Sequence, residues 1–258
     1  QLDRIRQARP SVIRGYASSL YLLAKTAHDH NVDDIRPRAT ISMGSVLFGH
    51  YRQLIETQFD CPVYDVYGGE GMIIAGQFEC GSFHIHAEGV IVEILKPDGT
   101  AAGPGELGSV ILTNLSNDAM PFIRYQIGDL ATLSDVACAC GRGLPVADSI
   151  QGRESDIVVT PNGSYLSIHF FLPAFRSSNV DQFQVIQHKL DYLEVMIVKS
   201  SKYRDSDIEH IVDTIRAAGG DHLKVDLQFV EQIPPTRSGK RRFVISDVGH
   251  EHFRRDAG

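Results

Sequence analysis

No stretch of about 18 apolar residues runs through this sequence, and no apolar core of a secretory leader opens it. Neither a membrane span nor export is therefore expected, and the cytoplasm is the compartment implied. Positive charge is also in short supply: 25 Lys and Arg stand against 32 Asp and Glu, a formal net charge of −7. That balance argues against a nucleic-acid partner, whose phosphate backbone asks for a basic surface. Cysteine is sparse, at four in 258 residues. Four in such a chain point to free thiols or a metal site rather than a disulfide framework. There is no internal repeat and no low-complexity tract. The first residue is Gln1 rather than Met, and the opening reads as the interior of a longer protein.

Hydrophobic residues make up 43% of the chain, enough for two cores. The first 60 or so residues alternate helix and strand. A helix capped by Ser18 or Ser19 turns Leu20, Leu23, Ala24 and Ala27 inward. A strand is predicted over Ala39 to Met43, a helix over Leu47 to Gln58, and a strand over Val63 to Tyr67 that ends in Gly68-Gly69. This rhythm is that of an α/β layer with parallel pairing. Strands follow at Val90 to Leu95, Gly108 to Asn114 and Ile127 to Leu133, the first two flanking the turn Lys96-Pro97-Asp98-Gly99. They read as a smaller, mostly antiparallel sheet or barrel.

A boundary is expected at Arg153 to Asp156, dividing residues 1–153 from 154–258. Beyond it come a hairpin around Pro161-Asn162-Gly163, helices near His169 to Arg176 and Ser206 to Ala217, and strands at Gln182–Gln187, Leu193–Val198, Val225–Val230 and Phe243–Ser246. Two helices on an antiparallel sheet make a compact α+β unit.

Four segments carry chemistry. Tyr67-Gly68-Gly69-Glu70 ends a strand, where an aromatic ring is placed to stack on a base and a carboxylate to hold Mg²⁺. Arg124-Tyr125-Gln126-Ile127-Gly128-Asp129 offers a carboxylate able to take both hydroxyls of a ribose. Gly152-Arg153-Glu154-Ser155-Asp156 has the composition of a hinge. Ser238-Gly239-Lys240 puts a mobile point charge on a loop, inside a basic cluster of Arg237, Lys240, Arg241 and Arg242 able to hold a small polyphosphate. Each segment alone also fits a plain turn, linker or surface loop.

In this order the four segments resemble the adenylate-forming superfamily of acyl-CoA synthetases, peptide-synthetase adenylation domains and luciferases. Tyr67-Gly68, Glu79-Cys80, Pro121-Phe122-Ile123-Arg124-Tyr125 and Cys138-Ala139-Cys140-Gly141-Arg142 are most similar to the phenylacetate-CoA ligase branch and its capsular-polysaccharide-biosynthesis relatives. The resemblance covers the later part of such a protein, with the Ser/Thr/Gly-rich phosphate loop belonging upstream. It implies the end of a large adenylate-binding domain, comprising an α/β layer and a small β-barrel-like sheet, followed by a mobile α+β lid.

The resemblance further implies ATP, Mg²⁺ and CoA as ligands and a small carboxylic acid as substrate. Tyr67 and Gly68 would lie against adenine, with Glu70 near Mg²⁺, although the spacing to Glu70 is one residue shorter than in the family. Asp129 would bind ribose, Arg153 would stand beside the nucleotide, and Lys240 would reach the carboxylate and α-phosphate. Ser155 or Asp156 would be the pivot. Amine, hydroxyl or carrier-protein acceptors, or a non-catalytic zinc-stabilised module, are the alternatives. Alone, this stretch is expected to be inactive. A homodimer is left open.

Cys80 and His84 are separated by three intervening residues and Cys138 and Cys140 by one, a thiolate and imidazole set suited to structural Zn²⁺. His86 shares a strand face with His84 and is the substitute ligand. Cys61, before Pro62, reads as a buried small hydrophobe.

Overall fold

The computed structural model describes residues 1–220, 222–234 and 242–253, with the side chains of residues 176 and 205 left aside. A short helix α1 (Leu2–Ala8) precedes β1 (Val12–Tyr16), α2 (Ala17–Asp29), β2 (Ala39–Met43), α3 (Gly49–Phe59) and β3 (Val63–Gly69). Strands β1, β2 and β3 pair in parallel, as strand–helix–strand crossovers demand. Ala17, Leu20, Ala24 and Ala27 of α2 are buried at helical spacing. Their small side chains let α2 close on Ile55 and Phe59 of α3. Neither Ser18 nor Ser19 caps α2. The helix leaves β1 directly, with Tyr16 at the N-cap position.

At Gly69 the chain reverses. Glu70 (φ 51°) and Gly71 (φ 78°) make a two-residue turn with both φ positive, and β4 (Met72–Gln77) returns antiparallel to β3. Then follow β5 (Phe83–Ile85), β6 (Val90–Leu95), β7 (Gly108–Asn114), β8 (Tyr125–Leu133) and β9 (Val146–Arg153). The strands form one sheet in the order β1-β2-β3-β4-β5-β9-β8-β7-β6. The α/β layer and the β-rich middle are thus one hydrogen-bonded surface, joined through the hairpin that opens at Tyr67. Their cores remain separate: α2 and α3 close over one, while Ile74, Ile85, Val110, Leu112 and Ile127 fill the other.

After a single 3₁₀ turn (Glu154–Asp156) come the hairpin strands β10 (Val158–Val159) and β11 (Tyr165–Leu166), then α4 (Ile168–Ser177), β12 (Val180–Lys189), β13 (Tyr192–Lys199), α5 (Asp205–Gly219), β14 (Lys224–Phe229), β15 (Val244–Ser246) and α6 (Asp247–Phe253). The second sheet has the order β14-β13-β12-β15. Only β12–β13 is antiparallel; β14 and β15 both pair in parallel. The expectation of an antiparallel sheet fails because α5 is a crossover helix, which returns the chain to the same edge and sets β14 beside β13 in the same direction. Fully buried Val185, Leu193, Val195 and Ile197 alternate along β12 and β13 under Ile211 and Ile215 of α5. Phe48, which precedes α3, joins this second core.

Candidate nucleotide and metal sites

Tyr67 sits on β3 where the register shifts, just before the hairpin. A Cβ on Gly68 would collide with the carbonyl oxygen of Met72, so only glycine lets the returning strand come this close. Tyr67 faces β8 across the sheet. Its hydroxyl donates to Asp129 Oδ2 at 2.9 Å. The other carboxylate oxygen, Oδ1, takes Arg153 Nε at 3.2 Å. Arg153 is the register partner of Asp129 on β9, and its Nη1 donates to the Ile127 carbonyl at 2.9 Å. Gly128 (φ +80°) turns the backbone between Ile127 and Asp129, and a Cβ there would lie 3.4 Å from Arg153 Nη1.

This triad is electrostatically tense. Asp129 is 8% exposed, and burial pushes its carboxyl above the usual carboxylate range. Arg153 and the Tyr67 hydroxyl pull it back down. The Tyr67 phenol is driven far above its ordinary value, first by burial and then by the charge of Asp129, so it stays protonated as a donor. An ionised carboxylate has about four lone-pair sites, and two are taken here, leaving room for two further donors.

A second cluster forms where β4 leads into β5. Cys80, His84, Cys138 and Cys140 bring their ligand atoms within 4.8 Å of one another. His84 is fully buried, with Nε2 3.4 Å from Cys80 Sγ and 3.5 Å from Cys140 Sγ. Those separations suit the edges of a zinc tetrahedron, where Zn–N of about 2.0 Å and Zn–S of about 2.3 Å place N and S about 3.5 Å apart. The His84 Nδ1 is buried and meets no partner. The donor set therefore fits Zn²⁺. The Arg142 backbone N–H, chief among its neighbours, lowers the Cys140 thiol to about 7. Arg142 itself lies over the Phe78 ring at 4.1 Å and pairs with Glu79. His86 lies past the end of β5, its Nε2 against Gly76, and is not in the cluster.

Residues 158–247 match the family model of the CapK C-terminal domain. Over 96% of this chain and 55% of the relative, the sequence is 24% identical to protein CapK of Staphylococcus aureus. A 77-residue stretch, 30% of this chain and 17% of the relative, is 36% identical to the phenylacetate-coenzyme A ligase of Thermus thermophilus. The fold matches 2-hydroxyisobutyryl-CoA ligase solved in its postadenylation state with 2-HIB-AMP. That match has a TM-score of 0.72 at 19% identity, covering 95% of this chain and 56% of that one. The same ligase in its thioesterification state matches at 0.55.

The chain has the fold of the adenylate-forming enzyme structures it matches. It spans about half the length of the relatives it matches. Within this fold, Tyr67, Gly68, Asp129 and Arg153 come together across β3, β8 and β9. Glu70 occupies the exposed hairpin turn and belongs to no group of three or more metal-ligating residues among those described. Lys240, Arg237 and Arg241 lie outside the described residues. Arg242 is described, and it does not stand free to hold a polyphosphate: its Nε and Nη2 both bond Asp156 Oδ1, and Nη2 also bonds the Ser155 carbonyl and hydroxyl.

Other positions are explained by the scaffold. The Asn114 side-chain oxygen accepts from the N–H groups of Ser116 and Asn117, and Thr113 Oγ1 accepts from the Arg124 N–H, so both shape a loop. The Tyr16 ring lies on Gly44, where a Cβ would sit 2.7 Å from it. Sequence reasoning did not find buried Glu154, whose carboxylate takes Gln126 Nε2 at 2.7 Å. Gln126 also reaches the Phe253 carbonyl at 3.0 Å, tying β8, the 3₁₀ turn and α6 together. Its place inside the Arg-Tyr-x-x-Gly-Asp segment was the available signal. Among the described residues no helix is long and apolar enough to cross a membrane.

Proposed function

We propose that this chain is the nucleotide-gripping and lid part of an ATP-dependent ligase that activates a small carboxylic acid as its acyl-adenylate and passes the acyl group to coenzyme A. The observation that carries the reading is the Tyr67–Asp129–Arg153 cluster. Asp129 has unused lone pairs for two ribose hydroxyls, and Arg153 opposes the upward push of burial on its carboxyl. The Tyr67 hydroxyl is held by Asp129, which fixes the ring as a platform for adenine. In the reaction a substrate carboxylate oxygen attacks the α-phosphorus, the bond to the bridging oxygen breaks, and pyrophosphate leaves. Negative charge grows on the α-phosphate oxygens, and Lys240 is the cation assigned to meet it. Mg²⁺, with Glu70 among its ligands, would neutralise the departing pyrophosphate.

Residues 1–153 form the body and 154–258 the lid, with Ser155 and Asp156 as pivot. Cys80, His84, Cys138 and Cys140 would hold Zn²⁺ as a closed, structural centre that pins the turn at 138–141 to the β4–β5 connection.

The test is ATP–pyrophosphate exchange by the full-length protein across a panel of carboxylic acids, followed by CoA-dependent AMP release. Exchange with at least one acid is expected. A folded protein that supports none, and binds no nucleotide, refutes the reading. The relative that covers 96% of this chain is named protein CapK, a name that specifies no acceptor. Amine, hydroxyl and carrier-protein acceptors therefore form a second arm. Exchange without CoA-dependent turnover moves the acceptor to that class.

A further inference from the structure

The three parallel strands have two unlike faces. On one, Ile13 of β1 and Val63 of β3 pack with α2 and α3, and Thr40 and Ser42 of β2 are buried between them. Alternation puts Arg14 and Tyr16, Ile41 and Met43, and Tyr64 and Val66 on the other. These are register neighbours. Arg14 pairs with Ile41 and Ile41 with Tyr64, while Tyr16 pairs with Met43 and Met43 with Val66. None of them is fully buried, and among the described residues none joins a hydrophobic core.

Arg14 brings a positive charge onto this face. Its side chain leans along the strands, where Nε donates to Met43 Sδ at 2.8 Å, past its own register partner Ile41. Met43 is in turn the partner of Val66, the residue before Tyr67. In the plane of the sheet the guanidinium therefore stands about 4.8 Å across and about 3.3 Å back from Tyr67. A thioether sulfur is a weak acceptor. Among the described residues Arg14 makes no ion pair and no other side-chain hydrogen bond. A planar fork of N–H donors is left open near the carboxyl ends of parallel strands, the edge at which such sheets take ligands. Tyr67 and Val66 point to opposite sides of β3, so a molecule with its base on Tyr67 reaches Arg14 by bending over the strand ends.

We propose that Arg14 selects the acid by binding a second carboxylate at the far end of the substrate, so that the acids activated are dicarboxylic. The proposal rests on the ligase reading for its reaction and adds the substrate class. Ile41, Met43 and Val66 offer an apolar floor for the methylene chain between the two charges. A guanidinium takes a terminal carboxylate through two parallel hydrogen bonds. A neutral tail meets the same floor and leaves the fork unfilled. Sites built around a hydrogen-bonded group discriminate strongly against the analogue that lacks it. An arginine that is merely solvated on the surface confers no such preference.

The experiment assays the full-length protein by ATP–pyrophosphate exchange. The acids are α,ω-dicarboxylates from succinate to suberate and their monomethyl esters, which keep the length and lose one charge. Wild type is expected to prefer the diacid by roughly 10- to 100-fold in kcat/KM, the range of one charge-assisted contact. Arg14→Gln is expected to erase that ratio, Arg14→Lys to keep part of it, and Arg14→Glu to invert it. Wild type without the preference, or active only on other acids, overturns the proposal. So does a ratio unchanged in Arg14→Gln, which is the result for an arginine that only supports the fold. Calorimetric binding of the same acids, with and without ATP, separates this claim from the ligase reading. If no acid supports exchange, the ligase reading falls, while diacid binding weakened in Arg14→Gln still upholds the site. Diacid binding equal in both proteins, or absent from wild type, rejects it.

Discussion

The Tyr67 hydroxyl and the Asp129 carboxylate meet at 2.9 Å from positions 62 residues apart in the chain. Removing the hydroxyl by Tyr67→Phe leaves a buried carboxylate with one hydrogen-bond donor fewer. Stability is expected to fall by about 1 kcal/mol, the net worth of an ordinary hydrogen bond or slightly more. Urea midpoints of the two proteins measure it, and equal midpoints would show the bond contributes nothing.

The same carboxylate sets a pH dependence. Burial raises Asp129 above its unfolded value. A carboxyl raised in the fold binds its proton more tightly when native, so its contribution turns unfavourable as pH climbs from the unfolded value through the folded one. Asp129→Asn escapes that loss. The unfolding free energy of the variant relative to wild type should therefore move in its favour from about pH 4 toward neutrality. Denaturant titrations across that window check the sign, and a drift the other way contradicts the burial argument.

Neighbouring glycines separate backbone from side-chain crowding. Gly68→Ala drives a methyl into the Met72 carbonyl, whereas Gly69→Ala meets the terminal carbon of Ile127, which can rotate aside. The first is expected to cost about 2 kcal/mol or more and the second clearly less. Thermal melts of both variants rank them, and the reverse order would mean the hairpin backbone yields more readily than the Ile127 side chain.

Purified protein, never exposed to chelator, is expected to carry about one zinc per chain. Cys80→Ser and His84→Asn should each lower metal content and stability together, since binding and folding are linked. Metal analysis giving less than half an equivalent removes the site.

Lys240→Ala in the full-length protein should reduce pyrophosphate exchange by on the order of 10²–10³ while leaving the unfolding midpoint nearly unchanged. Exchange at the wild-type rate would take Lys240 out of the chemistry.

Much of the scaffold was legible because period and burial agree. Ala39–Met43, Val90–Leu95 and Gly108–Asn114 are strands with the predicted bounds. Leu20, Ala24 and Ala27 face inward as their spacing requires. What stayed hidden depends on partners distant in sequence. Strand β4 has little alternation because Ile74, Ala75 and Gly76 are all buried, and the turn before it needed Glu70 in a conformation that sequence rules assign to Asn or Gly. The parallel edge at β14 follows from where α5 delivers the chain, which no local pattern states. The cysteine–histidine gathering was readable from spacing, whereas the assignment of Arg242 to Asp156 was not: a run of basic residues does not say which one is already neutralised.

Phe48 belongs to the body by sequence, yet its ring is 8% exposed inside the core of the second sheet, edge-on to Phe243 at 5.9 Å. A cavity of about 270 Å³ borders it, lined by Tyr51, Phe175, Phe183 and Arg242 among others. If residues 154–258 rotate against 1–153 as proposed, the contact of Phe48, an aromatic plug, with this core is broken, and exposing the ring would cost about 1.5–3 kcal/mol. Such a joint would be tuned by solvent. Excluded solutes such as sulfate or sucrose favour the seated plug, and sub-denaturing urea loosens it.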